Sequence, residues 1–105
     1  MMEKIVEQGL LYDFYGELLT EHQKKIYEDA VYNDLSLSEI ALEQGISRQG
    51  VHDLIKRCDK ILAGYEEKLH LIHKFTNTRE KVKEISNITD NMVIKQLTKE
   101  ILEEL

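Results

Sequence analysis

The sequence predicts an all-α protein, a helix-turn-helix bundle with a long recognition helix and a C-terminal helical extension. Three observations carry this. The chain has no proline and five glycines among 105 residues, so little in it interrupts a helix. Its charged fraction of 32% comes largely from Glu and Lys, whose unbranched side chains lose little rotamer freedom in a helix. Apolar residues also recur at spacings of three and four along most of the chain, the period of an amphipathic helix.

The first segment carries Ile5, Val6, Leu10, Leu11, Phe14, Tyr15, Leu18 and Leu19 at such spacings, a broad stripe expected to be buried. A second helix is expected after Thr20, because Thr20-x-x-Gln23 has the capping-box spacing that satisfies two orphan amides reciprocally. Ile26, Tyr27, Ala30 and Val31 form its apolar face, and Asn33-Asp34 is the expected break. Ser36-x-x-Glu39 repeats the box before a short helix bearing Leu37, Ile40 and Ala41. Gly45 is placed to end that helix, since only glycine takes the left-handed conformation at negligible steric cost.

Ser47 is positioned to cap the next helix. From Val51 the apolar positions run through Ile55, Cys58, Leu62, Tyr65, Leu69 and Ile72 in steps of four and three, a heptad seam. This predicts one helix from about Arg48 to about Phe75, with the amino-terminal helix as the nearest partner for its later half. Gly64 interrupts the seam at a cost of about 1 kcal/mol relative to Ala, too little to break it. Thr76-Asn77-Thr78 is the next expected break, with Asn77 as a cap. The resulting division is a helix-turn-helix domain over residues 1–77 and an amphipathic extension over residues 78–105, itself broken at Thr89-Asp90-Asn91. The sequence leaves open whether that extension folds back, mediates dimerisation or is partly disordered.

The net charge of −6 argues against a generic polyanion binder, because such affinity comes largely from cations displacing counterions at phosphates. The charge is unevenly distributed. Residues 1–45 carry 3 basic and 10 acidic groups, residues 46–79 carry 7 and 4, and residues 80–105 carry 4 and 6. The positive charge therefore gathers in the segment containing the turn. A single cysteine, Cys58, rules out an intramolecular disulfide and leaves thiolate metal sites short of ligands. Without a basic n-region and apolar h-region at its start, or an apolar run of roughly 18 residues, the chain is expected to be cytoplasmic and off the membrane.

Residues 37–57 fit a helix-turn-helix. Ala41 is small where two helices cross, Gly45 makes the turn, and Ile40, Ile46, Val51, Leu54 and Ile55 are expected to fill the wedge between the helices. The second helix then presents Arg48, Gln49, His52 and Lys56 opposite the core, with Arg57 and Lys60 flanking. These residue types suit duplex DNA: Arg matches guanine bidentately, Gln matches adenine, and Lys neutralises phosphate. Asp53 is discordant, because it would repel phosphate unless it bonds a cytosine amino group or a neighbouring cation. One short helix reads few base pairs, which points to a homodimer, and the heptad seam is compatible with one.

Other constellations carry less. His70-x-x-His73 lacks the carboxylate or thiolate that would complete a metal set, so surface histidines are expected and no metal or cofactor is assigned. Tyr12, Phe14 and Tyr15 could form a stacking platform for single-stranded RNA, but their helical spacing favours the core. No nucleophile, phosphate loop or paired carboxylate marks an active site, and no enzyme activity is expected.

Leu11-Tyr12-Asp13-Phe14-Tyr15-Gly16-Glu17-Leu18-Leu19-Thr20, the stretch from Leu35 to Ala41 and that from Ser47 to Arg57 together resemble the YlxM family of small bacterial proteins. The resemblance spans about residues 3–75, and its central part is also similar to region 4 of bacterial sigma factors, whose helix-turn-helix reads promoter DNA. It implies a sigma-region-4-like helical fold and a regulatory, DNA-binding role. It further implies an association, through gene neighbourhood, with the signal recognition particle pathway, hence an alternative role as a protein- or RNA-binding adaptor there. Nothing in the resemblance extends to the stretch from Thr78.

Overall fold

The computed structural model describes residues 3–105 and is helical along most of that length. Helix α1 spans Lys4–Tyr15, followed by a 3₁₀ turn at Gly16–Leu18; α2 spans Glu21–Val31, α3 Leu37–Gln44, α4 Arg48–Leu69, α5 Leu71–Ile88 and α6 Met92–Glu104. The chain forms two compact units, one reaching to Leu69 and the other running from His70 to Leu105.

In the first unit, local chemistry sets the helix ends as expected. Thr20 and Gln23 close one capping box, with Gln23 N–H to Thr20 Oγ1 at 3.2 Å and Thr20 N–H to Gln23 Oε1 at 3.0 Å. Ser36 and Glu39 close the second at 3.1 Å in both directions. Hydrogen bonding to Ser36 holds the Glu39 carboxyl below its ordinary range. Between α2 and α3, Asp29 accepts from the Asn33 side chain at 2.9 Å, and Asp34 takes a left-handed turn at φ 54.

The core forms where α2, α3 and the start of α4 meet. Ile26, Ile40, Ala41 and Val51 are buried together, and Ala30, Leu35, Leu37, Leu54 and Ile55 pack around them. Helix α4 packs against α1, α2 and α3 in turn. Its seam residues Val51, Cys58 and Leu62 are inaccessible to solvent, so this part of the seam is occupied within the unit and is not free to receive a second copy. Helix α1 covers the later half as far as Tyr65 and Glu66: the Tyr15 ring stacks on Tyr65 with centroids 6.0 Å apart, and its hydroxyl donates to Glu66 Oε1, whereas Leu69 at the helix end is 45% exposed.

Three expectations for the first unit are corrected. The amino-terminal stripe is only half used: Leu11, Tyr15 and Leu19 are buried, whereas Ile5, Val6 and Leu18 are 48%, 53% and 57% exposed. The 3₁₀ turn at Gly16–Leu18 breaks the helical phase before Leu18 can rotate inward. Ile46 does not enter the wedge; it is 37% exposed and lies over Gly50. Its backbone N–H reaches back to Ala41 at 3.1 Å to close α3, and that tie holds it outside the core. Finally, α4 stops at Leu69 and not near Phe75, because His70 adopts a left-handed conformation with φ 56.

The second unit is a helical hairpin in which α5 packs against α6. The expected break at Thr76-Asn77-Thr78 is continuous helix, with Asn77 paired to His73 Nε2 one turn earlier at 3.1 Å. A division after residue 77 therefore runs through the middle of α5. The break at Thr89-Asp90-Asn91 is present, and Asn91 caps α6 by accepting from Val93 and Ile94 N–H at 2.8 and 3.2 Å.

Candidate nucleic-acid interface

The turn between α3 and α4 sets the geometry of the site. Gly45 takes φ 68, a left-handed conformation that ends α3. The Ser47 hydroxyl then accepts from Gly50 N–H at 2.9 Å and starts α4. A Cβ at Gly50 would come within 3.1 Å of that hydroxyl, so a side chain there requires the Ser47 hydroxyl to shift by a few tenths of an ångström.

From this start, Val51, Cys58 and Leu62 turn inward, and the opposite face of α4 stands in solvent. Arg48, Gln49, His52, Lys56, Arg57 and Lys60 are all exposed. His52, Lys56, Arg57 and Lys60, with Asp53, line a shallow depression of about 510 Å³ along the helix. The four cationic side chains Arg48, Lys56, Arg57 and Lys60 make no ion pair among the described residues, so their charge is open to an external anion.

Asp53 is handled inside the same face. Its Oδ1 accepts from Gln49 Nε2 at 2.9 Å and lies 3.6 Å from His52 Nδ1, a contact that becomes an ion pair when the imidazole is protonated. This arrangement diverts one acidic charge from the cations, but it also occupies the Gln49 amide. Gln49 must leave Asp53 before it can meet a base edge. Asp59, the other acid on this stretch, accepts from Gln8 at 2.9 Å and from Tyr27 at 2.6 Å.

A neighbouring groove of about 280 Å³ between α1 and α4 brings Lys4 alongside Lys56 and Lys60, with the acids Glu7 and Asp59 lining the same groove. Sequence reasoning missed Lys4, because it stands 52 positions before Lys56 and only the packing of α1 on α4 joins them. Among the described residues no group of three or more His, Cys, Asp or Glu side chains is placed to hold a metal, and no helix is long and apolar enough to cross a membrane. The aromatic cluster is internal: Tyr12 stacks on Tyr27 at 5.6 Å, Tyr15 is buried and Phe14 partly so. The arrangement is one of cationic and hydrogen-bonding side chains on one exposed helix face.

Comparison with known proteins matches residues 2–105 to the UPF0122 family, described as "Putative helix-turn-helix protein, YlxM / p13 like". A UPF0122 protein of Acetivibrio thermocellus is 50% identical over 84 residues, which is 80% of this chain and 72% of the relative. One from Clostridium botulinum is 43% identical over 111 aligned positions, covering 99% of this chain and all of the relative. The UPF0122 protein BH2485 of Halalkalibacterium halodurans is 39% identical over 105 residues, covering the whole chain and 96% of the relative. With the family match spanning both compact units and the helix-turn-helix formed as its spacing requires, the chain belongs to the UPF0122 (YlxM / p13-like) helix-turn-helix family.

Proposed function

We propose that this protein is a cytoplasmic, non-enzymatic regulator that binds duplex DNA with α4 in the major groove. Arg48, Gln49 and His52 approach base edges, while Lys56, Arg57, Lys60 and Lys4 contact phosphates. The observation that carries this is the division of α4 into a buried seam and an exposed face whose four cations have no ion-pair partner among the described residues. The left-handed Gly45 between α3 and α4 supports it, because that turn presents the amino-terminal part of α4. Affinity is expected to fall steeply with salt, each phosphate contact adding about 0.9 to the slope of log K against log salt.

A second reading is an adaptor of the signal recognition particle pathway that binds protein or the particle's RNA without reading DNA sequence. The exposed acids Glu3, Glu7, Asp13 and Glu17 along the amino-terminal segment favour it, since they would repel phosphate and suit a basic protein surface.

Fluorescence anisotropy with duplex DNA and with particle RNA over a salt series, using the wild type and Arg48→Ala/Lys56→Ala, tests the first reading. Duplex binding that the double variant loses supports a DNA-binding α4. Absence of duplex binding even at low salt overturns it, and RNA or basic-protein capture under the same conditions then favours the adaptor.

A further inference from the structure

We infer that the groove between α1 and α2 is a docking site for an amphipathic helix with basic flanks, supplied by another protein. Ile5, Val6, Gly9 and Leu10 of α1 face Val31 and Tyr32 at the end of α2 across a depression of about 400 Å³. All of it lies within the first compact unit. The exposed part of the amino-terminal stripe borders it: beside Ile5 and Val6, Tyr32 is 49% exposed, and Leu10 and Val31 are half-buried.

Its shape suits a helix. The Tyr32 ring forms the α2 wall, held by a hydroxyl that donates to Asp13 Oδ1 at 2.5 Å and lies 2.8 Å from the Gly9 carbonyl oxygen. A wall fixed beforehand costs little ordering on binding. Gly9 forms the floor. A Cβ there would meet the Tyr32 side chain at 3.5 Å or more, an ordinary contact, so folding does not require a glycine at a position where it costs α1 about 1 kcal/mol relative to Ala. What the glycine leaves is a hole for an incoming side chain, as the knobs of one helix enter the gaps of another. From Ile5 to Asp13 the stripe runs about two turns, roughly 12 Å, the span of anchors at i, i+3 or i+4, and i+7 on a bound helix. An extended peptide has no sheet edge to join among the described residues.

Charge selects the occupant. Among the described residues no Lys or Arg lines the groove, and its one carboxylate is Asp13. Glu3 stands one turn before Val6, Glu17 one turn after Asp13, and Glu28 one turn before Val31 and Tyr32, on the same sides of their helices. The nearby lysines of α2 are engaged, Lys24 with Glu17 at 2.8 Å and Glu21 at 3.6 Å, and Lys25 with the buried Asp29 at 3.4 Å. An apolar trough with acidic borders repels phosphate, whether of nucleic acid or of lipid, and attracts Lys and Arg. It therefore matches a helix with apolar anchors on one face and cations beside them, meeting it with an apolar centre and a charged rim. This docking uses none of the α4 cations and so is independent of DNA binding; it deepens the protein-binding reading, on which it rests for the existence of a protein partner.

Fluorescence anisotropy of the full chain with a labelled model peptide tests it. The peptide has about 18 residues, enough to hold a helix, with Leu at i, i+3, i+4 and i+7 positions and Lys elsewhere, so the outcome does not depend on whether the natural partner belongs to the signal recognition particle. Binding that weakens with salt is expected, with methyl NMR shifts concentrated at Ile5, Val6, Leu10 and Val31. Val6→Lys, at an exposed position, should weaken binding by about tenfold or more, and Glu3→Gln/Glu17→Gln by about threefold with a flatter salt dependence. The same peptide with Glu in place of Lys should bind at least about tenfold more weakly. Circular dichroism verifies helix content; should Val6→Lys lose helix, the shifts on the wild type and the Glu peptide decide. Equal affinity for the two peptides overturns the inference, as do shifts confined to α5 and α6 or no binding at concentrations on the order of 100 µM. So does sedimentation equilibrium in which the wild type is a dimer and Val6→Lys a monomer, since a second copy would then fill the groove.

Discussion

The Tyr27 hydroxyl of α2 donates to the Asp59 carboxylate of α4 at 2.6 Å, while Gln8 of α1 donates to the same oxygen at 2.9 Å, so three helices meet on one acceptor. Burial first, then hydrogen bonding to Asp59, pushes the Tyr27 phenol well above its ordinary value. Because the Tyr27 ring is inaccessible to solvent, the hydroxyl has no ready water to replace Asp59. The same carboxylate lines the groove shared by Lys4, Lys56 and Lys60.

Removing that donor is therefore expected to destabilise the first unit. Tyr27→Phe should cost about 1–2 kcal/mol, and Asp59→Ala should cost more than Tyr27→Phe because it strands the Tyr27 and Gln8 donors together. Urea denaturation followed by circular dichroism measures both. Equal stability of wild type and Tyr27→Phe would mean that the junction contributes nothing net.

Gly45 gives a ranked series. Its φ of 68 has open space around the missing Cβ, so the penalty of a substitution comes from backbone conformation and not from a clash. Asn tolerates the left-handed region, whereas Ala and β-branched residues do not. Loss of melting temperature should run Gly45→Asn, then Gly45→Ala at about 1 kcal/mol, then Gly45→Val. An Ala variant as stable as the wild type contradicts the series.

Alkaline pH should unfold the protein earlier than composition suggests. Burial, with the neighbouring Asp13 as hydrogen-bond acceptor, pushes the Tyr32 hydroxyl from 10.0 up to about 12, and Tyr12 and Tyr27 are raised further. A folded value above the unfolded one means that the stabilisation is complete below about pH 10 and is lost as pH rises from there through the folded value. Thermal melts at pH 8, 10 and 11 should show a decline confined to the last interval, and Tyr32→Phe should make that decline shallower. A flat profile to pH 11 would count against these raised values.

Asp53 offers a test in which a binding variant is expected to gain. Its carboxylate holds Gln49 at 2.9 Å and places a negative charge on the proposed groove face. Asp53→Ala should release the amide and tighten duplex binding by roughly threefold to tenfold at low salt, the reach of one screened charge near phosphate. Weaker binding by this variant would show instead that Asp53 itself contacts the nucleic acid, as an acceptor for a cytosine amino group.

Much of the first unit was legible before the structure because its signals are local. Thr20 and Gln23, Ser36 and Glu39, Ser47 and Gly45 act within one turn of chain, where hydroxyl, carboxyl and amide positions follow from spacing alone. The exposed face of α4 was legible for the same reason: Val51, Cys58 and Leu62 are buried, and helical periodicity turns Arg48, His52 and Lys56 away from them.

What the sequence by itself determined, then, is the all-helical class, the two capping boxes, the turn at Gly45 and the polar face that follows it. Where α4 ends had no local signal, since His70 carries no glycine-like freedom yet takes φ 56 at a cost of about 1–2 kcal/mol, and tertiary structure decided the rest. It decided that Thr76-Asn77-Thr78 continues as helix, because packing of α5 on α6 outweighs the weak turn preference of those side chains. It also brought Lys4 to Lys56 and joined Gln8, Tyr27 and Asp59. Each of these depends on which helices touch, and that is fixed by the total apolar surface removed from water across the fold, a quantity that no short window of sequence contains.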